Sequence, residues 1–181
     1  MIELLRELVE IESPTGGTAD VRDRLAPELK ALGGVVSFEA GHLRADFAGE
    51  GAPLLLLGHF DTVWPRGTLA TLPWRVDDGR AYGPGSYDMK AGLVVMLEAI
   101  RRAHTRRALR VLLTADEEMG SPTARDAIAR AANGAAAGLV CEPPSSHGNL
   151  KTARKGLGRF HLRVIGRSAH AGQPRDGASA I

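Results

Sequence analysis

The sequence has few of the features that would tie it to secretion or to a membrane. Cys141 is the only cysteine in 181 residues, so no disulfide can form within the chain, and this composition suits a reducing compartment. No apolar run approaches the roughly 20 residues that a membrane helix requires. The start, MIELLRELVEIES, carries acids among its leucines, unlike a secretion signal. We therefore expect a cytoplasmic protein without membrane contact.

The chain also has no concentration of charge of one sign. Its formal net charge is +2, and its basic residues are dispersed instead of forming a tract that could follow a phosphate backbone. This distribution argues against a nucleic-acid partner. With 44% hydrophobic and 24% charged residues, the composition is that of a globular protein, and the length allows one domain and the beginning of a second.

Helical spacing marks two segments near the N-terminus. Ile2, Leu5 and Leu8 predict a first helix that ends before the Ser13-Pro14 pair, because the residue before proline disfavours the α conformation. A second helix is predicted over residues 19–32, with Thr18 as its cap and two glycines as its stop, and Pro27 predicts a kink in it.

Continuous apolar runs then replace the helical pattern. After two short predicted strands, near residues 35–38 and 43–47, the runs lie at 54–57, 111–114 and 138–141. Such runs are typical of buried parallel strands. Two helical stretches separate them. One begins at Lys90, a residue that we expect to be exposed, and the other begins at Ser121, with Ser121 as N-cap and Pro122 at the first helical position. The alternation predicts an α/β fold, a mostly parallel sheet with helices on both faces.

The pattern changes again after Pro143-Pro144. From Arg159 the segment RFHLRVIG alternates apolar and polar residues, which predicts a half-exposed strand. We therefore expect residues 1–157 to form the α/β domain and residues 158–181 to begin a smaller α+β domain.

Acidic side chains follow each of the three apolar runs. The carboxyl ends of strands meet where binding sites form in open α/β sheets, so we expect these side chains to converge. Gathered carboxylates repel one another, and a divalent cation compensates that repulsion. Together with one histidine and an acid from a glycine-rich loop, the set is His59, Asp61, Asp88, Glu117, Glu118 and Glu142.

One imidazole with several carboxylates suits Zn²⁺, or the harder Mn²⁺ and Co²⁺. His59 and Asp61 are two apart in an extended segment, so Asp61 can hold the ring of His59 for a metal. Glu117 and Glu118 are consecutive and point differently, which allows one to ligate and the other to act as a base. Each residue alone also has a structural explanation, as a loop residue or a helix N-terminal acid.

Five motifs in order resemble a known family. GHFDTV, AYGPGSYDMKAG, ADEEMGS, CEP and SAHAG are similar to segments of the metallopeptidases that include aminoacylases, acetylornithine deacetylase, succinyl-diaminopimelate desuccinylase and bacterial glutamate carboxypeptidases. The resemblance extends over essentially the whole chain, and the wording of the first two motifs is closest to the glutamate carboxypeptidase branch.

The resemblance implies hydrolysis of an amide bond, in an N-acyl amino acid or a C-terminal glutamate-type peptide, at a site with two zinc ions. Asp88 would bridge the ions, His59 and Glu142 would complete one, and Glu118 would serve the other. Glu117 would be the general base. The peptide bond after Asp88 is often cis in such proteins.

The resemblance also implies roles for residues near the end of the chain. His170 in SAHAG would stabilise the oxyanion in the site of a partner subunit, and Arg154 and Lys155 would meet a substrate carboxylate. Residues 158–181 would begin a lid domain through which the full-length protein forms a homodimer.

One expected metal ligand has no counterpart. Members of the family have a further histidine near the end of the catalytic domain, and His42, His104, His147 and His161 lie in segments that do not match its context. Residues 1–157 would then be an incomplete catalytic domain, retaining one metal at best and weakly active or inactive alone.

Two other classes of function were weighed against hydrolysis. The first is a non-catalytic metal-binding or assembly module that keeps the remnants of such a site. The second is a nucleotide-binding α/β domain, which needs G-x-G-x-x-G after the first strand or a Walker lysine, and GPGSYD supplies neither.

Overall fold

The computed structural model describes residues 1–104, 107–158 and 160–181. The chain divides into two compact units, Met1–Pro143 and Pro144–Ile181. Each unit is described by itself. The predicted division of function between residues 1–157 and 158–181 stays a prediction.

The first unit contains four helices and seven strands among its described residues. The helices are α1 (Ile2–Glu10), α2 (Ala19–Ala31), α3 (Ala91–Arg102) and α4 (Arg125–Ala132). The strands are β1 (Val35–Glu39), β2 (His42–Phe47), β3 (Glu50–His59), β4 (Arg75–Asp77), β5 (Arg80–Tyr82), β6 (Arg107–Thr114) and β7 (Ala137–Val140).

Five of these strands form one sheet in the order β1-β2-β6-β3-β7, and β4 and β5 form a separate hairpin. β3 runs parallel to both β6 and β7, with Leu56 opposite Val111 and Leu139. β2 is antiparallel to both β1 and β6, so the sheet is mixed. The α/β prediction is confirmed, and the parallel strands are the three apolar runs. Their carboxyl ends therefore meet at one edge.

Helices cover both faces of the sheet, as predicted. Alternate residues of a strand point to opposite faces. Leu56 and Val111 pack with the buried residues of α1, α2 and α3 in the main core. Leu55 and Leu112 pack with Ala127 and Ala131 of α4 in a second cluster.

The prediction that all three apolar runs are buried is wrong for the third. β7 lies at the edge of the sheet, and Leu139 and Val140 are 52% and 57% exposed. An apolar run predicts a strand correctly but does not distinguish a central strand from an edge strand, because exposure depends on the partners that the fold supplies.

The predicted start of the fourth helix is also wrong. α4 begins at Arg125, and Ser121 has a left-handed backbone conformation with φ of 56°, so it is not the N-cap. The carboxylate of Asp116 instead accepts the N–H groups of Thr123 and Ala124. Asp116 therefore holds the two residues that precede α4, and the helix itself has no side-chain capping hydrogen bond.

The first two helices agree with expectation in extent. α1 ends at Glu10, ahead of the Ser13-Pro14 pair, and α2 contains Pro27. Thr18 precedes α2 but makes no side-chain capping hydrogen bond, so its predicted role as a cap is not confirmed.

The second unit has little regular structure. Residues 160–166, predicted as a half-exposed strand, are not in a strand, and Arg159 lies outside the described residues. Phe160 and Leu162 are 94% and 90% exposed. An isolated antiparallel bridge joins Arg167 to Ala178, and a short 3₁₀ turn spans Pro174–Asp176. An alternating pattern describes a strand only where a second strand pairs with it, and none does so among the described residues.

No described helix has both the length and the apolar character needed to cross a bilayer.

A close contact between α3 and the chain after β7 gives a test of this packing. A Cβ atom added at Gly92 would lie 2.0 Å from the carbonyl oxygen of Cys141. We expect Gly92→Ala to lower the free energy of unfolding by about 1–3 kcal/mol, measured by urea denaturation, although alanine favours helix. Gly138→Ala in β7 is the matched control, because nothing lies within 4 Å of its added Cβ. A Gly92→Ala protein as stable as the wild type would contradict this packing.

Candidate metal centre

The six predicted site residues all lie in the first unit, at the carboxyl edge of its parallel strands. His59 ends β3, Glu117 and Glu118 lie in the short turn Glu117–Met119 that follows β6, and Glu142 follows β7. Asp88 lies in the turn Ser86–Lys90, directly before α3.

His59 is the centre of this group. Its ring is buried, and its Nε2 atom lies 3.1 Å from Asp88 Oδ1 and 3.3 Å from Glu142 Oε1. Glu117 Oε2 is 3.9 Å from the same nitrogen. The structure therefore brings together an imidazole nitrogen and carboxylates from three separate segments.

Two sets of potential ligand atoms share this histidine. One set is His59, Glu117 and Glu142, and the other is His59, Asp88 and Glu118; within each set the ligand atoms lie within 4.8 Å of one another. Both sets are compact enough for one ion to reach all three side chains after small rotations. The sharing differs from that implied by the resemblance, which places Asp88 with Glu142 and leaves Glu117 free as a base.

Asp61 orients the histidine from the opposite side of its ring. His59 Nδ1 lies 3.0 Å from the main-chain oxygen of Asp61 and 3.3 Å from its Oδ1. Both atoms are acceptors, so Nδ1 carries the hydrogen and Nε2 faces the acids. The main-chain oxygen, which the sequence pattern did not indicate, is the nearer partner.

Asp61 also holds the turn that carries the two glutamates. Its fully buried carboxylate accepts the N–H groups of Glu117 and Glu118, each at 3.1 Å, and the hydroxyl of Thr15 at 2.7 Å. Burial alone would raise the pKa of Asp61, but the hydrogen bonds from His59, Thr15 and Glu118 lower it. Asp61 is therefore a fixed anion beneath the site. The sequence pattern does not indicate this hydrogen bond of Thr15, which lies in a glycine-containing loop.

Asp88 is placed by its two neighbours in the chain. The Met89 sulfur accepts the N–H of His59 at 3.1 Å, and Lys90 Nζ donates to the carbonyl oxygens of Leu8 and Ile11, each at 2.8 Å. Lys90 is 1% exposed, so the prediction that it is an exposed helix residue is wrong. Its side chain joins the end of α1 to the turn, and burial lowers its pKa to about 8.

Gly85 makes the turn around Asp88 possible. It has φ of 67°, and a Cβ atom there would lie 2.5 Å from Thr62 Cγ2. The peptide bond between Asp88 and Met89 is cis, as the resemblance implies.

The electrostatics of the group favour a cation. Burial, together with neighbouring carboxylates, raises the pKa of Asp88, Glu117 and Glu118. In the described part of the chain, no arginine or lysine forms an ion pair with these three side chains. Burial opposes a charge on His59, but Asp61 and Glu142 raise its pKa to about 11. The protonated His59 thus supplies a positive charge among the carboxylates, and a divalent ion would replace it. The imidazole and the carboxylates fit such an ion as ligands.

Comparison with known proteins identifies the family of the chain. Residues 55–171 match the model of the family described as Peptidase family M20/M25/M40. The chain belongs to this peptidase family. The matched segment contains all six of the clustered residues.

Two curated relatives are similar in sequence to this M20/M25/M40 chain. It is 36% identical over 199 residues to carboxypeptidase G2 from Pseudomonas sp. (strain RS-16), covering 100% of this chain and 48% of the relative. It is also 36% identical over 141 residues to an acetylornithine deacetylase from Pasteurella multocida (strain Pm70), covering 74% of this chain and 36% of that protein. The chain thus spans about half or less of the length of the curated relatives that it matches.

Two solved structures share the fold of this M20/M25/M40 chain. The aminopeptidase PepT from Bacillus cereus has a TM-score of 0.73 at 22% identity, covering 99% of this chain and 52% of the other. The YXEP protein of Bacillus subtilis, described as a dinuclear metal binding peptidase from the M20 family, has a TM-score of 0.53 at 15% identity, covering 77% and 41%.

Three predicted substrate residues belong to the second unit of this M20/M25/M40 chain. His170, Arg154 and Lys155 are exposed, and their proposed contacts with substrate stay predictions. His170 Nδ1 accepts the N–H of Gly172 at 3.1 Å.

The raised pKa of His59 predicts proton release on metal binding. At about pH 8 a histidine of ordinary pKa is mostly neutral, whereas His59 with a pKa of about 11 is still protonated. We expect binding of Zn²⁺ at about pH 8 to release about one proton from His59, measured by calorimetry in buffers of different ionisation enthalpy. His59→Gln should lose this release. Zinc binding by the wild type with no proton release at that pH would contradict the protonated state.

Proposed function

We propose that this chain carries the catalytic metal centre of a zinc-dependent amide hydrolase. The observation that supports the proposal most strongly is the convergence of Asp88 and Glu142 on His59 Nε2, at 3.1 and 3.3 Å. The membership of the peptidase family supplies the class of reaction.

The proposed ligands are those that the family resemblance implies. His59 and Glu142 would serve one ion, Glu118 would serve a second, and Asp88 would be shared between them. An imidazole with carboxylates suits Zn²⁺, and Co²⁺ or Mn²⁺ can take its place. The description of the Bacillus subtilis neighbour as a dinuclear metal binding peptidase is consistent with a site for two ions.

When bound, zinc would supply Lewis-acid chemistry, polarising a substrate carbonyl and lowering the pKa of water to roughly 7. Glu117 is the proposed general base. Its carboxylate accepts a proton from the attacking water and delivers it to the leaving nitrogen. Burial and the nearby carboxylates raise the pKa of Glu117, which favours a group that must both take up and release a proton.

Asp61 keeps this machinery in place without touching the substrate. By accepting the hydrogen on His59 Nδ1, it leaves Nε2 free for the metal. By accepting the N–H groups of Glu117 and Glu118, it fixes the base relative to that nitrogen.

The proposed substrates are N-acyl amino acids or peptides with a C-terminal residue of the glutamate type. The names of the relatives, a carboxypeptidase and a deacetylase, support this class. Arg154 and Lys155 are the proposed partners of the substrate carboxylate, and His170 the proposed oxyanion donor, supplied across a homodimer.

A non-catalytic metal-binding or assembly module is the second candidate. The observation that favours it is that both potential ligand sets depend on the same imidazole. A module of this kind would bind one ion and would have no use for a base at Glu117.

The shared histidine predicts how many ions the chain binds tightly. A single Nε2 ligates one ion, so we expect one tight Zn²⁺ per chain, with any second ion bound far more weakly, in equilibrium dialysis. Glu142→Gln should weaken the tight ion by about 10–100-fold. Two tight zinc ions per chain would contradict this assignment.

Glu117→Gln distinguishes an enzyme from a binding module. We expect the variant to keep its tight zinc ion and to lose at least about 100-fold in hydrolysis of an N-acyl glutamate, because amide nitrogen and oxygen cannot carry the proton. Glu3→Gln, an exposed change in α1, is the control. Wild-type turnover by Glu117→Gln would refute the proposed base, and loss of the tight zinc ion by Glu117→Gln would make Glu117 a metal ligand instead.

A further inference from the structure

A second group of polar side chains lies behind the turn that carries Glu117 and Glu118. His42, the first residue of β2, is 1% exposed. Its Nδ1 atom lies 3.2 Å from the main-chain nitrogen of Ala115, and its Nε2 atom lies 3.3 Å from Thr123 Oγ1. None of the functions proposed above uses this histidine.

The partners of His42 determine where its hydrogen is. The main-chain N–H of Ala115 can only donate, so Nδ1 accepts and Nε2 carries the hydrogen. Nε2–H then donates to Thr123 Oγ1, and the Thr123 hydroxyl donates to Asp116 Oδ2 at 2.7 Å. The hydrogen bonds therefore run in one direction, from the histidine to the carboxylate.

The same carboxylate oxygen closes the loop that follows the glutamates. Asp116 Oδ2 accepts the main-chain N–H of Thr123 at 2.6 Å and that of Ala124 at 3.3 Å. Ala115 and Asp116 are the two residues between the end of β6 and Glu117. His42 thus holds the chain immediately before the glutamates, while Asp61 holds the N–H groups of the glutamates themselves.

We propose that His42, acting through Ala115, Thr123 and Asp116, is a positioning residue for the Glu117–Glu118 turn. This inference rests on the roles proposed above for the two glutamates. The hydrogen bonds of His42 in the described part of the chain go to Ala115 and Thr123 and not to either glutamate. Its ring sets the position of the backbone from which both side chains project. The turn is consequently held from two sides, by Asp61 beneath the metal centre and by His42 behind it.

A purely structural explanation accounts less well for this group. A buried polar side chain costs free energy unless it is hydrogen-bonded, and an apolar side chain of similar volume would fill the space at the start of β2 without that requirement. The gain from the polar group is a single arrangement of the backbone at Ala115 and Asp116. A single backbone arrangement is required where two consecutive acidic side chains must point in different directions, one to bind a metal and the other to act as a base.

Two pairs of variants separate positioning from general stability. His42→Leu removes the acceptor for the Ala115 N–H, whereas His42→Asn offers an amide oxygen at about the place of Nδ1. Thr123→Val removes the hydroxyl that joins His42 to Asp116, whereas Thr123→Ser keeps it. Thr123 is exposed, so the Thr123 pair reports even where His42→Leu fails to fold.

The direct readout is amide hydrogen exchange of Glu117 and Glu118, followed by NMR on the metal-free chain. We expect exchange at these two amides to be about tenfold faster in His42→Leu and Thr123→Val than in the wild type, with His42→Asn and Thr123→Ser restoring most of the protection. Amides of Leu93 and Leu97 in α3 serve as internal controls and should not change. The ¹⁵N shifts of His42 should report a hydrogen on Nε2 and none on Nδ1.

Unchanged exchange at Glu117 and Glu118 in both His42→Leu and Thr123→Val, or an equal acceleration at the α3 amides, would overturn the positioning role. A hydrogen on Nδ1 of His42 would do so as well. Zinc titration of the same samples keeps this result separate from the proposed function: failure of the wild type to bind zinc refutes the metal centre, whereas the exchange measurement needs no metal.

Discussion

The convergence of carboxylates on one buried imidazole is the constraint on which the rest of the structure depends. Parallel pairing of β3 with β6 and β7 brings their carboxyl ends to one edge, and each strand is followed by a residue of the site. Burial and the mutual repulsion of these carboxylates raise the pKa of Asp88, Glu117 and Glu118. A cation relieves that repulsion. The protonated His59 does so in the metal-free protein, and we propose that zinc does so in the working one.

The surrounding structure keeps the acidic side chains in place while no metal ion compensates their negative charge. Two of the segments that carry the acids are held by polar contacts. Lys90 holds the turn of Asp88 against α1, while Asp61 holds the N–H groups of the glutamates and His42 holds the residues before them. These contacts cost desolvation and add little as isolated interactions. Their common effect is to fix the positions of ligand atoms before an ion arrives, which lowers the reorganisation that binding requires.

The sequence predicts where the site residues lie better than it predicts the buried side chains that hold them in place. The rule that polar side chains after parallel strands meet at a sheet edge needs only the order of the strands. It predicts the convergence of His59, Glu117, Glu118 and Glu142, whereas Asp88 comes from a glycine-rich loop. Lys90 was assigned to the surface because a lysine at the start of a helix usually lies there. Its burial depends on the carbonyl groups at the end of α1, about eighty residues earlier in the chain. The partners of His42 are equally distant, and no local pattern reports them.

The same distinction explains the errors in the fold. Ser121 followed by proline has the sequence of a helix start, but α4 begins at Arg125, and Asp116 accepts the N–H groups of the two residues before it. β7 has the composition of a central strand, yet its exposure is set by its place at the edge. In both cases the tertiary fold overrides local propensity.

Anomalous X-ray scattering at the zinc absorption edge, from crystals of the chain grown with Zn²⁺, tests the central claim most directly. The account predicts a peak about 2.0–2.1 Å from His59 Nε2, with carboxylate oxygens of Asp88 and Glu142 at similar distances. A peak bound elsewhere on the chain, or none at this edge of the sheet under saturating zinc, would contradict it.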